Sequence, residues 1–436
     1  MRARRWPRAS ASTTPGQYRL WSVGLAAAMV VVALAGTAAA ANLERSTERI
    51  RDNTGPVLVA TQALVASLAE ADAAATAAFL SGRDEDPEQR RLYEQALARA
   101  SEQLEGVAAR IGEDPPTHAA LTAVAVQVTR YAGLVEAARA LNRAGAPGAE
   151  DYLVDALDLL ATTVAQDTRA LTSATQERFA QDERDRDTGV VLAVVLGVVA
   201  LAALVAAQVA VTRRTHRLLN PPLVLATLVL ATTVTWLALA NIRSGGDLAD
   251  ARRGGYDSIV LSAQVQTSGF RAKSDETVAL ITGDQRRRAS AQQEAEVLLA
   301  GPVTDEVVAA ARSGELLPAG GLMADAARLA DSDRERAAVA ELLVRWERYQ
   351  QTVRLLRSAA TPEAGRQIAV GPAASTFNGF NFSVESVLGD NRAQFLTGLD
   401  QAADRVTGLA AVTLFGPLAA ALAAMWGFQL RIREYR

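Results

Sequence analysis

The sequence predicts an all-α integral membrane protein with four transmembrane helices and two tandem extracytoplasmic antiparallel four-helix bundles. Three observations lead to this fold class. Four apolar stretches are each long enough to cross a bilayer. The segments between them show the spacing of apolar residues that is typical of helices, without the alternation of strands. A short motif occurs twice, about two hundred residues apart, which indicates an internal repeat.

Composition excludes several kinds of chemistry. The chain of 436 residues has no cysteine and only two histidines, His118 and His216, so disulfides, thiolate metal sites and histidine-cluster metal sites are excluded. The formal net charge of −3 does not favour a nucleic-acid partner. Because no phosphate-binding glycine loop, nucleophile elbow or metal-ligand spacing occurs, we expect neither an enzyme nor a bound cofactor.

The predicted spans are residues 20–42, 189–211, 221–241 and 406–428. None has an ionisable residue in its middle, which argues against a transporter or an ion pump. The first stretch also has features of a cleavable signal peptide, with a cleavage pattern near Ala38–Ala40. We favour an uncleaved anchor, because the counterpart of this stretch in the second copy is internal and cannot be a signal peptide.

The placement of arginine predicts the topology. Arginines lie in the basic tail 1–19, the loop 212–220 and the tail 429–436, which the positive-inside rule assigns to the cytoplasm. Residues 43–188 and 242–405 are then extracytoplasmic. The expected localisation is the cell membrane, with several passes and with both termini in the cytoplasm.

Each extracytoplasmic segment is predicted to form one bundle. In the first segment, apolar residues follow alternating steps of three and four, as in Leu153, Leu157, Leu160 and Val164. Four such helices joined by short turns predict an antiparallel four-helix bundle. VTRYAGLVEAAR (128–139) aligns with LVRWERYQQTVR (343–354), so the chain is a tandem duplication of span, bundle and span. A longer connection at 301–321 distinguishes the second copy.

The repeated motif marks a helix end. ADAAATAAFLSG (71–82) corresponds to AKSDETVALITG (272–283), and each ends in a glycine followed by a charged stretch. We expect the first helix of each bundle to continue unbroken from its span for ~40 residues and to be capped by Gly82 or Gly283.

The bundle ends far from the membrane are the predicted partner-binding surface. The first end combines Gly145–Gly148 with Arg83, Asp84, Glu85 and Asp86, although solvated surface charge is the simpler interpretation of the acidic residues. The second end combines the loop 359–372 with Arg286, Arg287 and Arg288.

The segment STFNGFNFS (375–383) concentrates Phe377, Phe380 and Phe382 in a chain with few aromatic residues. Positions i, i+3 and i+5 cannot all face one core stripe, so at least one ring should be exposed. We consider the three rings as a contact patch. The alternative is core packing, with a helix distortion at Gly379.

The corners FLSG-R and LITG-D, each at the end of a long helix that leaves a span, resemble the four-helix-bundle sensory domains of bacterial chemoreceptors and histidine kinases. Those receptors continue into HAMP, coiled-coil or kinase modules, whereas the expected cytoplasmic parts here are two tails and a short loop.

Two tandem bundles and four spans resemble the GlnX-type membrane proteins of high-GC Gram-positive bacteria, which work with the solute-binding lipoprotein GlnH and the Ser/Thr kinase PknG. The resemblance implies a signal relay between an extracytoplasmic amino-acid-binding lipoprotein and a cytoplasmic kinase. The implied partners are these two proteins and the lipid bilayer, with a homodimer left open.

Two other functions remain open at this point. The bundles could sense a small molecule directly, or the protein could be a non-signalling envelope scaffold. The basic tail offers Ser10, Ser12, Thr13 and Thr14 to a kinase, and its alternative role is an orientation signal alone.

Overall fold

The computed structural model describes residues 14–83, 86–112, 114–187, 189–215 and 220–434, with only the backbone considered for 14–19, 214–215 and 431–434. Within these ranges the protein is α-helical, and one isolated bridge joins Ala300 to Gly320 without forming a strand. The predicted all-α class is therefore confirmed. Ser10, Ser12 and Thr13 of the basic tail, and His216, lie outside the described residues.

The described α-helices are numbered in chain order. The first half contains α1 Thr14–Arg49, α2 Gly55–Leu80, α3 Pro87–Ala108, α4 Pro115–Ala144, α5 Ala149–Leu159, α6 Ala165–Asp187 and α7 Val190–Thr215. The second half contains α8 Pro221–Asp250, α9 Asp257–Thr282, α10 Gln285–Leu298, α11 Asp305–Ser313, α12 Leu322–Leu329, α13 Asp333–Arg357, α14 Pro362–Ile368, α15 Ala374–Asp404 and α16 Leu409–Glu434.

The helices divide into two compact units. The membrane unit consists of the described residues up to Arg51, of Ala180–Ala249 and of the residues from Leu399 onward. The bundle unit consists of Asp52–Phe179 and Asp250–Gly398, and thus holds both copies of the repeat.

The membrane unit contains the four predicted spans, in α1, α7, α8 and α16. The helices that carry them are long and apolar enough to cross a membrane, as a multi-pass membrane protein requires. They share a core that includes Met29, Leu204, Leu230, Ala420 and Phe428. Small residues lie at the crossings: Gly36 faces Thr413 and Gly416 faces Thr233, so the backbones approach closely.

In the bundle unit, α2 to α6 form the first bundle around a core rich in alanine. This core contains Leu64, Ala71, Ala75, Tyr93, Ala96, Val124, Tyr131 and Leu171. The second bundle comprises α9 to α15, and its core is richer in aromatic side chains, with Phe270, Trp346, Tyr349, Phe377 and Phe380. The predicted longer connection at 301–321 contains α11 and leads into α12.

The predicted glycine caps are confirmed. Gly82 has φ +76° and Gly283 has φ +73°, the left-handed region in which an L side chain is strained. Gly283 N–H donates to the carbonyl of Ala279 (3.0 Å), which satisfies one of the free carbonyl groups at the end of α9.

The prediction that the first helix of each bundle continues from its span is confirmed, since helical residues run from Leu20 to Leu80 and from Pro221 to Thr282. The sequence did not predict that each stretch changes its hydrogen-bond pattern at one place. π-helical segments separate α1 from α2 (Ile50–Thr54) and α8 from α9 (Ala251–Tyr256). Pro56 explains the first, because proline lacks the N–H that continues the α-helical pattern, and Gly254–Gly255 weakens the second. Gly189 (φ +88°) lies between α6 and α7, and Gly408 (φ +77°) lies between α15 and α16.

Two more π-helical segments occur, one in the last helical stretch of each bundle. Leu160–Val164 joins α5 to α6, and Ala369–Ala373, which contains Pro372, joins α14 to α15. Each copy therefore has a π-helical segment before its first helix and another within its last. The duplication extends to these local irregularities, which occur in many proteins at functional sites.

Candidate ligand-binding cleft between the two bundles

The two bundles pack against each other through α2 and α9, which are equivalent helices of the repeat. Ala69 and Ala73 of α2 belong to the apolar core of the second bundle. Further along the same helices, Phe79 packs with Val278. Alanine at these positions allows a close approach of the two helices, and polar side chains lie beside the contact.

A cavity of about 240 Å³ opens beside this contact, and we call it the interbundle cleft. Its walls are α2, the π-helical segment Leu160–Val164, the start of α6, and α9 with α10. Its polar lining comprises Asp72, Thr168, Thr267, Arg271, Ser274, Asp275, Arg287, Ser290 and Glu294. A neighbouring opening of about 480 Å³ shares Thr168 and Arg271 with it, so Arg271 lies where the two spaces meet.

Asp72 is the buried acid of the cleft. Its side chain is 7% exposed, and Ser274 Oγ donates a hydrogen bond to its Oδ2 (2.7 Å). Its Oδ1 has no hydrogen-bond partner among the described residues. Burial raises the pKa of Asp72 from its ordinary 3.8 to about 7, and the Ser274 hydrogen bond opposes that increase only in part.

The two arginines of the cleft differ in their partners. Arg287 donates to Asp158 Oδ1 (2.6 Å) and to Asp275 Oδ1 (3.2 Å). Asp275 also accepts from Ser290 Oγ (2.6 Å). Arg271, by contrast, has no hydrogen bond or ion pair with any described residue, although it is half-buried. The cleft therefore holds one guanidinium that is paired with two carboxylates and one guanidinium that is unpaired.

The second copy of the repeat has an equivalent space, which we call the Lys273 pocket. In the aligned motifs, the position of Asp72 is occupied in the second copy by Lys273, the only lysine of the chain. The pocket is lined by the π-helical residues Ala369, Val370 and Ala373, by Gln89 of α3 and by Tyr349, and its volume is only about 20 Å³.

Lys273 is enclosed by aromatic side chains. Its Nζ lies 4.9 Å from the centre of the Phe377 ring, and burial lowers the pKa of Lys273 to about 8. The nearby Glu276 is already paired with Arg357 (2.6 Å). The Lys273 pocket is thus nearly filled and its carboxylate is already paired, whereas the interbundle cleft is open.

The residues predicted at the first bundle end are only partly described. Arg83 is exposed, and its guanidinium lies against Gly145, as the predicted grouping requires. Asp86 caps α3 by accepting from Glu88 N–H (2.9 Å). Asp84 and Glu85 lie outside the described residues.

At the second bundle end the prediction is wrong for one of the three arginines. Arg286 is exposed, as expected. Arg287 lies in the interbundle cleft, because Asp158 of the first bundle and Asp275 of its own attract it there. Arg288 is partly buried, and its Nε has no partner among the described residues. Of the three arginines, Arg286 is exposed and Arg288 is partly exposed.

The three-phenylalanine contact patch is also wrong for two of its members. Phe377 and Phe380 are 1% and 0% exposed, and their rings lie 5.7 Å apart between centroids in a cluster with Trp346 and Tyr349. The i and i+3 positions share one helix face, and aromatic side chains on α9 and α13 enclose that face. Phe382 is 69% exposed, which confirms that one ring faces outward.

Sequence reasoning missed Asp72, Arg271 and Ser274 as a group. A usable signal existed, because an aspartate within an alanine run aligns with the only lysine of the chain. Thr168 is 6% exposed and also lines the cleft. Among the described residues, no cluster of three His, Asp or Glu side chains could hold a metal ion.

The first bundle is similar to a known sensor family. Residues 46–184 match the family model described as the actinobacterial sensor domain. The match includes Asp72, Asp158 and the π-helical segment Leu160–Val164, and so covers the first-bundle wall of the interbundle cleft. This similarity supports a sensor-type protein with a role in sensing or signalling. No curated protein matches the chain.

Proposed function

We propose that the protein is a transmembrane signal relay, which couples an extracytoplasmic amino-acid-binding lipoprotein to a cytoplasmic Ser/Thr protein kinase. One observation carries the proposal: the region similar to a sensor domain is a helical bundle whose chain continues at both ends into apolar spans. A domain connected in this way can transmit a change in its packing along the chain to the membrane.

The π-helical segments suggest how such a change is accommodated. Each is a stretch in which the hydrogen-bond pattern already departs from that of an α-helix, so a small change of register costs little there. Helix shifts of about 1–2 Å are a common scale for such switches. Since coupling between two sites is reciprocal, binding of the kinase would change the affinity for the extracytoplasmic partner by the same factor.

In this proposal the lipoprotein docks on residues of the predicted partner-binding set, namely the exposed Arg83, Arg286 and Phe382 and the partly exposed Asp86. Phe382→Ala should lower crosslinking of the lipoprotein in native membranes without unfolding the second bundle. Leu396→Ala is the matched control, because Leu396 is an exposed apolar side chain (39%) of the same helix, α15, and lies 14 residues from Phe382, away from the loop 359–372. Equal crosslinking of both variants would remove Phe382 from the docking surface.

The orientation can be tested cleanly, because the chain contains no cysteine. Gln292→Cys on α10 and Arg213→Cys near the end of α7 introduce exposed single thiols in the two regions. A membrane-impermeant maleimide should label the first variant in intact cells and the second only after permeabilisation. The reverse result would place the bundles in the cytoplasm and overturn the relay.

The coupling itself is tested by kinase output. Amino acid added outside should change phosphorylation of the kinase's substrates in cells that contain the protein, and this change should disappear when the gene is deleted. An unchanged phosphorylation pattern would favour the envelope scaffold.

A second candidate function is direct sensing of a small molecule by the bundles. The interbundle cleft favours it, because the cleft contains a buried carboxylate with a free oxygen and an unpaired guanidinium. Binding of a small molecule to the purified chain, without a lipoprotein, would distinguish direct sensing from the relay.

A further inference from the structure

Two polar groups that line the interbundle cleft have no hydrogen-bond partner among the described residues, which is energetically unfavourable. Asp72 Oδ1 is buried and accepts no hydrogen bond from any described residue. A buried polar atom without a partner is unfavourable, and the cost is larger for a charged group. The guanidinium of Arg271 is half-buried in the same cleft and is also unpaired among the described residues. A ligand that meets both groups would remove both costs.

The signs of these groups determine the chemistry of the ligand. Arg287 is already neutralised by Asp158 and Asp275, so Arg271 is the cation that remains for an anionic group. Guanidinium binds carboxylate with paired, charge-assisted hydrogen bonds. Asp72 and Glu294 offer carboxylates on the same cavity. Since both signs are present, a ligand with one negative and one positive group fits better than a simple anion or cation.

The size of the cleft limits the ligand further. Its volume of about 240 Å³ is below the range of roughly 300–1,000 Å³ of pockets for drug-sized molecules. The adjoining opening, which shares Arg271, provides a path from solvent. A small metabolite therefore fits the space between Asp72 and Arg271.

From these observations we propose that the interbundle cleft binds a small zwitterion, with the ligand's carboxylate on Arg271 and its ammonium group on Asp72. The proposal rests on the direct-sensing form of the function above and supplies its ligand class. The Lys273 pocket does not bind a second molecule, because its volume is only about 20 Å³ and it already holds a cation, which lies near the Phe377 ring and is attracted by Glu70. One chain binds one ligand.

The position of the cleft explains how a bound ligand would affect the packing of the two bundles. Leu160, Ala161 and Val164 of the π-helical segment form one wall, while α9 and α10 of the other bundle form the opposite wall. A ligand held between Asp72 and Arg271 bridges α2 and α9, the two helices through which the bundles pack. Binding thus favours one packing of the two bundles.

The test uses the full chain in lipid nanodiscs and isothermal titration calorimetry. The probes are glycine, L-alanine, L-glutamate and 4-aminobutyrate, with acetate and methylammonium as compounds that each carry one of the two charges. We expect at least one zwitterion to bind with one site per chain, and the single-charge compounds to bind at least about tenfold more weakly.

Variants assign the binding to the cleft. Arg271→Gln and Asp72→Asn should each weaken binding by about tenfold to a hundredfold, because each removes one charged hydrogen-bond partner. Arg130→Gln and Asp167→Asn are matched controls with the same charge changes at positions outside the cleft, and they should bind as the unmodified chain does. Helical circular dichroism confirms that each variant is folded.

Two results would overturn the proposal: no binding of any zwitterion to the unmodified chain, or unchanged binding in both cleft variants. The proposed signal relay can be rejected independently of the proposed ligand in the cleft. Zwitterion binding that depends on Arg271, without any change in kinase output, supports the cleft and rejects the relay. A kinase response to amino acid in cells, with no binding to the purified chain, rejects the cleft and keeps the relay.

Discussion

The two copies of the bundle share a backbone plan but differ in the side chains at its centre. Both have a left-handed glycine after the first helix, π-helical segments at equivalent places and a space beside the α2–α9 contact. In the first copy this space is an open cleft with Asp72. In the second it is a small pocket with Lys273. The two copies thus share a backbone arrangement, but of these two spaces only the one in the first copy is large enough for a ligand.

The apolar cores of the two bundles also differ, and this difference corresponds to the difference between the open cleft and the small pocket. The first bundle is packed largely with alanine and aliphatic residues, whereas the second concentrates five aromatic side chains around Phe377. Larger rings fill space that alanine leaves open. The aromatic core of the second copy is therefore the physical reason why its pocket is closed, and the difference suggests a division between a binding copy and a stabilising copy.

The largest expected effect concerns that aromatic core. Phe380→Ala should lower the free energy of unfolding of the bundle unit by about 3–5 kcal/mol, because the ring is fully buried and its loss leaves a cavity. Phe382→Ala, two residues along the same helix, should change it by less than about 0.5 kcal/mol, since that ring is exposed. Denaturant titration followed by helical circular dichroism measures both. Similar losses would contradict the assigned core.

The next effect concerns the buried acid of the first copy. The folded protein keeps a proton on Asp72 that the unfolded chain releases between pH 3.8 and about 7, so its stability falls as pH rises through that window. A pKa change from 3.8 to about 7 corresponds to roughly 4 kcal/mol. Asp72→Asn should therefore stabilise the chain by about 2–4 kcal/mol at pH 8, and by almost nothing at pH 4.

The measurement is thermal unfolding of both proteins in nanodiscs across this pH range, without added ligand. Asp167→Asn serves as the control, because Asp167 does not line the cleft. A stability difference between Asp72→Asn and the unmodified chain that is independent of pH would contradict the burial of a strained carboxyl group.

The second copy should behave in the opposite sense. Burial lowers the pKa of Lys273 from 10.5 to about 8, so between these values the unfolded chain binds more protons and the stability of the protein rises with pH. Lys273→Met should stabilise the chain by about 1–2 kcal/mol at pH 7, a value reduced because the side chain is only partly buried. This gain should vanish above pH 10.5. A gain that increases with pH would contradict this assignment.

The smallest effect should be equal in the two copies. Gly82→Ala and Gly283→Ala should each destabilise the chain by about 1 kcal/mol, because an added Cβ meets no atom and only the left-handed backbone is strained. Gly133→Ala is the control: it lies in the helix α4 with open space around it, so alanine should stabilise by up to ~1 kcal/mol. Unequal losses at the two caps would indicate that the corners are not equivalent.

The sequence by itself determined the helical class, the four apolar spans, the duplication and the glycine caps. These features depend on local composition and on the spacing of apolar residues along one helix, so they can be recognised without knowing what each helix contacts. For the same reason it could predict that one of Phe377, Phe380 and Phe382 faces outward, but not which one.

Only the tertiary structure decided which polar residues meet. Asp72 and Ser274 are about two hundred residues apart in sequence, yet Ser274 Oγ lies 2.7 Å from Asp72 Oδ2. Arg287 pairs with Asp158 of the other copy and does not lie at the predicted bundle end. The π-helical segment Ile50–Thr54 was likewise outside the apolar pattern, since it depends on a hydrogen bond that Pro56 cannot make. A cleft between two bundles is formed by residues from both, and no single helical pattern contains it.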